Sequence, residues 1–263
     1  MENAFNAVII GVLQGIIEWL PISSQGNLVL LMVYLLGSNI EVVINYTVYL
    51  HLGTGVAALV FFREDILKIL LPKKEEEKKL LRFLFISTIL TGLIGYPLFL
   101  LVRTTSIYGE FLIALTGVAL ILTGILQKKQ KEVSMKKVDN IRTGDGFILG
   151  LVQGFSIIPG ISRSGITTST LIFRGYDAGE ALKLSFLMSI PASLAANLGL
   201  FIIEGAPSLN NWIIISAIAS FVTSYLFIRV LLGLVRKTEF WKLCILLGAT
   251  SILAFIPSLL PFL

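Results

Sequence analysis

Glu18 and Arg163 sit at the centres of two apolar stretches that proline, glycine and hydroxyl side chains interrupt. These are QGIIEWLPISSQGN (residues 14–27) and PGISRSGITTST (residues 159–170). Gln14 and Glu18 are four residues apart, so on a helix they share one face. They offer the oxygen ligands that a hard divalent cation such as Mg²⁺ or Ca²⁺ takes. In the second stretch Pro159 and Gly160 break the backbone, and Ser162, Arg163, Ser164 and Thr167 follow. A helix starting after Gly160 aims its free N–H groups and positive dipole end at an anion, and the planar donor fork of Arg163 matches phosphate oxygens. Ser23 and Ser24 add hydroxyls from the first stretch. An anion cradle, a carboxylate, a metal-ligand pair and several hydroxyls suit phosphoryl transfer to water, which asks mainly for positioning and charge stabilisation. The plainer alternative is a buried Glu18–Arg163 ion pair that only ties two segments together, with Thr168, Ser169 and Thr170 bonding back to their own helix.

The elements that carry these residues are those of an integral membrane protein. Of 263 residues 56% are hydrophobic and 14% charged, against roughly 25% charged in a soluble domain. Mean hydropathy is +0.89. Apolar runs of about 20 residues argue for helical spans rather than a membrane β-barrel. Six ordinary spans are expected, at residues 42–62, 80–102, 111–127, 184–203, 212–234 and 243–262. Two further segments, 4–36 and 147–173, are apolar but broken in the middle. The formal charge of +5 comes from short loops and is no sign of nucleic-acid binding. The single Cys244 excludes an internal disulfide. The first residues lack the basic start and cleavage site of a signal peptide, so the first segment is expected to be retained.

Loop charge sets the orientation. The loops at 63–82, 127–142 and 236–242 are rich in Lys and Arg, whereas those at 37–45, 104–110 and 204–211 have neither. The first group is therefore expected in the cytoplasm and the second outside. Segment 147–173 then begins and ends inside, as a re-entrant hairpin, and 4–36 does the same from the outer face. This puts both termini outside. The two broken segments also align at Gly11/Gly150, Gln14/Gln153, Gly15/Gly154, Ser23/Ser162 and Gly26/Gly165, a constant spacing of 139 residues. One broken segment followed by three spans reverses the next copy, so an inverted-topology duplication is expected, with irregular backbone of both halves meeting near the midplane. The expected fold is an all-α integral membrane protein, a single domain over 1–263, with six transmembrane helices plus two re-entrant helical hairpins. Repeat 1 covers 1–127, a cytoplasmic linker 128–145 and repeat 2 146–263. Ionisable groups at such depth usually mark a substrate path, and an embedded site suggests a substrate with a lipid tail.

The two motifs resemble the signatures of the undecaprenyl-diphosphate phosphatase (bacitracin-resistance) family. LHLGTGVAALVFF (residues 50–62) and SFLMSIPA (residues 185–192) extend the resemblance over nearly the whole chain. It implies a cell-membrane enzyme that removes the terminal phosphate of a polyprenyl diphosphate, regenerating the lipid monophosphate carrier for cell-envelope glycan synthesis. It also implies dependence on a divalent cation and an active site open to the outer face. By motif position, Gln14 and Glu18 fall on the family's Glu/Gln-x-x-x-Glu pair, and Ser24 on the serine proposed as nucleophile or phosphate contact, with Ser23 beside it. Arg163 falls on the phosphate-binding arginine, and Ser162, Ser164 and Thr167 on its neighbouring contacts. Asn27 stands where bacterial members usually carry histidine. Asparagine hydrogen-bonds phosphate or water but shuttles no proton near neutral pH, which shifts weight onto Glu18. His51, the only histidine, is expected as a buried contact behind the site. The implied partners are a polyprenyl diphosphate lipid and the bilayer, with no nucleic acid; a homodimer stays open. The alternative function is a lipid-phosphate flippase or anion transporter that uses the same inverted-repeat site.

Overall fold

A computed structural model describes residues 4–20, 24, 27–28, 31–32, 40–104, 118, 121–122, 125, 128, 136–158, 161–205, 211–235, 241–242, 245–246, 248–250 and 252–253. Its main elements are α1 (Ala4–Ile17), α2 (Ile40–Phe61), α3 (Arg63–Leu70), α4 (Glu75–Thr104), α5 (Thr143–Gly154), α6 (Arg163–Phe173), α7 (Ala178–Glu204) and α8 (Asn211–Val235). No strand occurs among the described residues; the one isolated bridge joins Lys136 to Tyr176. The segments expected as spans at 42–62, 80–102, 184–203 and 212–234 fall on helices α2, α4, α7 and α8. Those expected at 111–127 and 243–262 fall largely outside the described residues, as does Cys244.

Helices α4, α7 and α8 have 30, 27 and 25 residues and are long and apolar enough to cross a membrane. At 1.5 Å per residue each exceeds the ~30 Å hydrocarbon layer. Their outward faces repeat at helical spacing and are bare: Phe85, Ile89 and Leu93 on α4, and Ile218, Val222 and Leu226 on α8, are all exposed. Such stripes suit lipid contact, and a soluble monomer rarely shows them. The opposite face of α8 carries Ser216, Ser220 and Ser224, all fully buried. Their hydroxyls donate to the carbonyls of Ala7 (2.7 Å), Leu50 (3.3 Å) and Gly15 (3.2 Å). Small hydroxyl residues thus let α8 close on α1 and α2, the usual device where no hydrophobic effect drives helices together.

Contacts give the helix directions. Gly11 and then Gly15 of α1 meet Ser216 and then Ser220 of α8, so those helices run parallel. Gly146, Gly150 and Gly154 of α5 meet Phe83, Ser87 and Ile94 of α4, again parallel. By contrast Val48 and Tyr49 of α2 pack on Leu200 of α7, while Gly55 meets Ser193, so α2 and α7 are antiparallel. One end of the bundle is a packed cluster that includes Trp19, Phe62, Phe83, Leu184, Phe186 and Ile228. It adjoins the basic loop after α2.

The segment α5–α6 is a helix, a break and a helix. After α5 a 3₁₀ turn covers Phe155–Ile157, and α6 opens at Arg163 with Ser162 as its N-cap. Its two ends meet again through Asp145, which is fully buried. Its carboxylate accepts from Arg174 Nε (2.8 Å), Tyr176 Oη (2.7 Å) and the Arg142 N–H (3.1 Å). Lys136 Nζ donates to the Arg174 carbonyl at 2.7 Å. The chain therefore returns at Arg174 and Tyr176 to the level of Asp145, and the 3₁₀ turn after α5 and the first turn of α6 lie away from it.

Candidate active site

Helix α1 ends at Ile17, but the Glu18 N–H still bonds the Gln14 carbonyl at 3.1 Å. This keeps both side chains on one face, as their spacing predicts. Ser162 holds the first turn of α6 by accepting from the Gly165 N–H at 3.1 Å. That turn aims Arg163 at Glu18, 145 residues away in sequence, with Nη2 to Oε1 at 2.6 Å. The second guanidinium arm donates to the Ser185 carbonyl at 3.3 Å. Trp19 lies beneath the guanidinium, 5.8 Å from Cζ to the ring centre, and is itself fixed edge-on to Phe186 at 4.7 Å. Arg163 is thus held by a carboxylate, a carbonyl and an aromatic face, the stacking for which arginine is suited.

The other carboxylate oxygen, Oε2, gathers three groups. Ser24 Oγ donates to it at 2.6 Å, Gln14 Nε2 at 3.2 Å, and His51 Nε2 lies at 3.1 Å. The His51 Nδ1 is 2.7 Å from the Thr47 carbonyl, which only accepts, so Nδ1 carries a proton. One further proton must then lie between Nε2 and the carboxylate. The expectation that His51 stands behind the site is not what the geometry gives: it touches Glu18 directly and lines the same cavity.

That cavity measures about 230 Å³. Glu18, His51 and Arg163 form its polar end, while Val48, Phe99 and Leu200 lie on its apolar side. Pro97 in α4 and Pro191 in α7 each remove one helix hydrogen bond beside it. The arrangement offers an anion-binding guanidinium, a hydroxyl already hydrogen-bonded to a carboxylate base, and room for an apolar chain. A nucleophile within hydrogen-bond reach of its base is the mark of covalent or base-assisted attack.

Of the residues singled out in the sequence, Gln14, Glu18, Ser24, His51 and Arg163 meet. Ser162, Ser164 and Thr167 are next to them but do other work. Ser162 caps α6, Ser164 Oγ donates to the Leu20 carbonyl at 2.6 Å, and Thr167 Oγ1 donates to the Arg163 carbonyl at 2.7 Å while meeting Ser185 Oγ at 2.6 Å. All three are buried and pin α6 to Leu20 and α7. Asn27 is half-buried and is not among the described residues lining the cavity. Ser23 lies outside the described residues. Sequence reasoning missed Trp19 and Ser185, which set Arg163, and Gln153, which lines the cavity. The only signal for Gln153 is its alignment with Gln14.

The donor set for a divalent cation is small. Gln14 turns its NH₂ to Glu18, and its Oε1 is buried without a partner among the described residues. Glu18 Oε1 takes Arg163, which leaves it a lone pair. No cluster of three or more His, Cys, Asp or Glu occurs among the described residues. Two protein oxygens fit the habit of Mg²⁺, which is held by one or two side chains together with substrate phosphates rather than by a protein cage.

The family model described as bacitracin resistance protein BacA matches residues 7–250. An undecaprenyl-diphosphatase of Methanococcoides burtonii is 41% identical, over 96% of this chain and 98% of its own. Its counterpart in Methanothrix thermoacetophila is 38% identical over 95% and 96%, and that of Haloarcula marismortui 33% over 96% and 97%. With the two motifs meeting at one end of a cavity and a match over nearly the full length, this chain belongs to the bacitracin resistance protein BacA family.

Proposed function

We propose that this protein hydrolyses an undecaprenyl-type polyprenyl diphosphate to the lipid monophosphate and inorganic phosphate, recycling a carrier for cell-envelope glycan synthesis. The observation that carries the reading is the convergence of Arg163, Glu18 and Ser24 at one end of a cavity that Val48, Phe99 and Leu200 also line. The family and the names of its relatives support the same substrate.

The terminal phosphate takes the guanidinium of Arg163 in place of Glu18, and the freed carboxylate becomes the base. Ser24 Oγ already gives its hydrogen bond to Oε2, so it either attacks phosphorus as its proton passes to Glu18 or positions a water that does. His51, anchored by Thr47, holds Oε2 from the other side. Gln14 Oε1 and Glu18 Oε1 are the atoms that would hold a divalent cation, which when bound neutralises charge on the diphosphate.

The protein is read as six spans and two re-entrant hairpins in an inverted duplication. Supporting this are the constant spacing of 139 residues, the matching glycine contacts of α1 on α8 and α5 on α4, and the antiparallel α2–α7 pair. The active site is read as open to the outer face of the cell membrane, with both termini on that side. The cavity is bounded by the early part of α2 and the late parts of α4 and α7, away from the packed cluster beside the basic loop.

The test is phosphate release from undecaprenyl diphosphate by the purified protein in detergent. Wild type should release phosphate without any gradient, and Glu18→Gln and Arg163→Ala should each lose at least about a hundredfold. Wild-type rates in both variants would overturn the assignment.

A further inference from the structure

The cavity has a second set of polar groups, five hydroxyls and one amide, that line it along with Arg163. Thr88, Thr91, Ser156, Ser189 and Ser193 line it together with Gln153. Each hydroxyl has one proton to give, and each gives it to a backbone carbonyl. Thr88 bonds Leu84 (2.6 Å), Thr91 bonds Ser87 (2.7 Å) and Ser156 bonds Gln153 (2.6 Å). Ser189 bonds Phe186 (2.6 Å) and Ser193 bonds Ile190 (3.1 Å). What remains on these oxygens is lone pairs.

The same accounting fixes the amide of Gln153. Because the Thr91 proton is spent, Thr91 Oγ1 can only accept, so the group 3.1 Å from it must be the Gln153 NH₂. Gln153 Oε1 is thereby turned the other way, buried and without a partner among the described residues. The cavity therefore has a donor end, at Arg163 and His51, and an acceptor face around Gln153. A phosphate oxygen is repelled by the second and drawn to the first. Water is drawn to the second, and a water that donates one proton there and the other to Glu18 leaves its own lone pairs for the phosphorus.

We propose that the acceptor face around Gln153 binds and orients the water that attacks phosphorus in the hydrolysis proposed above, on which this inference rests. The water oxygen bonds to the terminal phosphorus, and the bond to the bridging oxygen breaks with its electron pair staying on the lipid monophosphate. One water proton passes to Glu18 and from there to the released phosphate. If Ser24 is phosphorylated first, the same water attacks the phosphoserine and the electron pair returns to Ser24 Oγ. Gln153 then does for water what a water-positioning glutamine does in a nucleotide hydrolase.

The test compares wild type, Gln153→Leu, Thr91→Val and Thr91→Ser on a polyprenyl diphosphate, with methanol added as a competing nucleophile. Gln153→Leu should lower kcat roughly a hundredfold, the usual cost of a misplaced reactant, with KM unchanged. The methyl phosphate share of product should rise, because methanol does not need two acceptors. Thr91→Val, which frees the amide to rotate, should move both readouts the same way by less, and Thr91→Ser should restore them. Thr91→Val also keeps the test usable if Gln153→Leu fails to fold. A wild-type kcat in both Gln153→Leu and Thr91→Val overturns the proposal, as does a lower kcat with an unchanged methyl phosphate share, which marks a packing role only. Absence of release by the wild type overturns the hydrolysis itself and this role with it.

Discussion

Replacing His51 separates two things its contacts allow: holding the base and carrying a proton. Its Nε2 lies 3.1 Å from Glu18 Oε2 while Nδ1 is anchored 2.7 Å from the Thr47 carbonyl. A hydrogen bond to a charged group contributes about 1.5–3 kcal/mol. If that stabilisation is spent on keeping Oε2 aimed at Ser24, its loss in His51→Ala should lower kcat/KM by roughly ten- to a hundredfold, at 1.36 kcal/mol per decade. His51→Gln is the informative partner. A glutamine NH₂ reaches about as far as Nε2 and can still donate to Glu18, but it holds no transferable proton at neutral pH.

The assay is phosphate release at saturating and limiting lipid, with thermal unfolding in the same detergent to confirm that the variants are folded. Recovery of most of the activity in His51→Gln assigns His51 to orientation. A loss as deep as in His51→Ala assigns it to proton transfer, as the function that Asn27 gives up. Wild-type kcat/KM in both folded variants would refute the reasoning, because the Glu18 contact would then contribute nothing to catalysis.

Three further outcomes follow from other contacts. Ser24→Ala should abolish trapping of a phosphorylated protein if Oγ is the nucleophile; full activity in that variant shows instead that water attacks directly. EDTA should lower hydrolysis and added Mg²⁺ or Ca²⁺ restore it, with Gln14→Leu raising the cation concentration needed. At the latch between α5 and the end of α6, burial alone would raise the Asp145 carboxyl, but hydrogen bonds from Tyr176, Arg174 and the Arg142 N–H hold it below the ordinary carboxylate value. The stability it contributes is therefore full above the unfolded-state value and is lost as pH falls through the lower folded one. Asp145→Ala should cost about 3 kcal/mol at neutral pH and flatten that acid limb in thermal unfolding.

Much of this molecule is legible in its sequence for simple reasons. A span must be apolar for its whole length, so α4, α7 and α8 announce themselves, and a carboxylate or guanidinium inside an apolar run is costly enough to stand out. Glu18 and Arg163 pair on sequence alone because each is the ionisable residue at the centre of its own broken segment. The serines and threonines around Arg163 are harder to read. A hydroxyl that binds phosphate and one that caps a helix or bonds a carbonyl look alike in sequence, and Ser162, Ser164 and Thr167 prove to hold α6 in place.

Sequence reasoning names His51 but not its direct contact with Glu18, for a different physical reason. It sits on an apolar helix with no break to mark it, and its role depends on how α2 packs against the end of α1. Asn27 by itself suggests that no histidine serves the carboxylate. Yet the only histidine in the chain reaches Glu18 from α2, with its other nitrogen already tied to Thr47. What the chemistry constrains is an imidazole within hydrogen-bond reach of one carboxylate oxygen, and a helix face can supply that as well as a loop. A relative with histidine at the position of Asn27 should therefore tolerate a non-titrating residue at the position of His51. In this chain, Asn27→His should partly rescue His51→Gln if proton transfer is the function, and should leave it unimproved if orientation is.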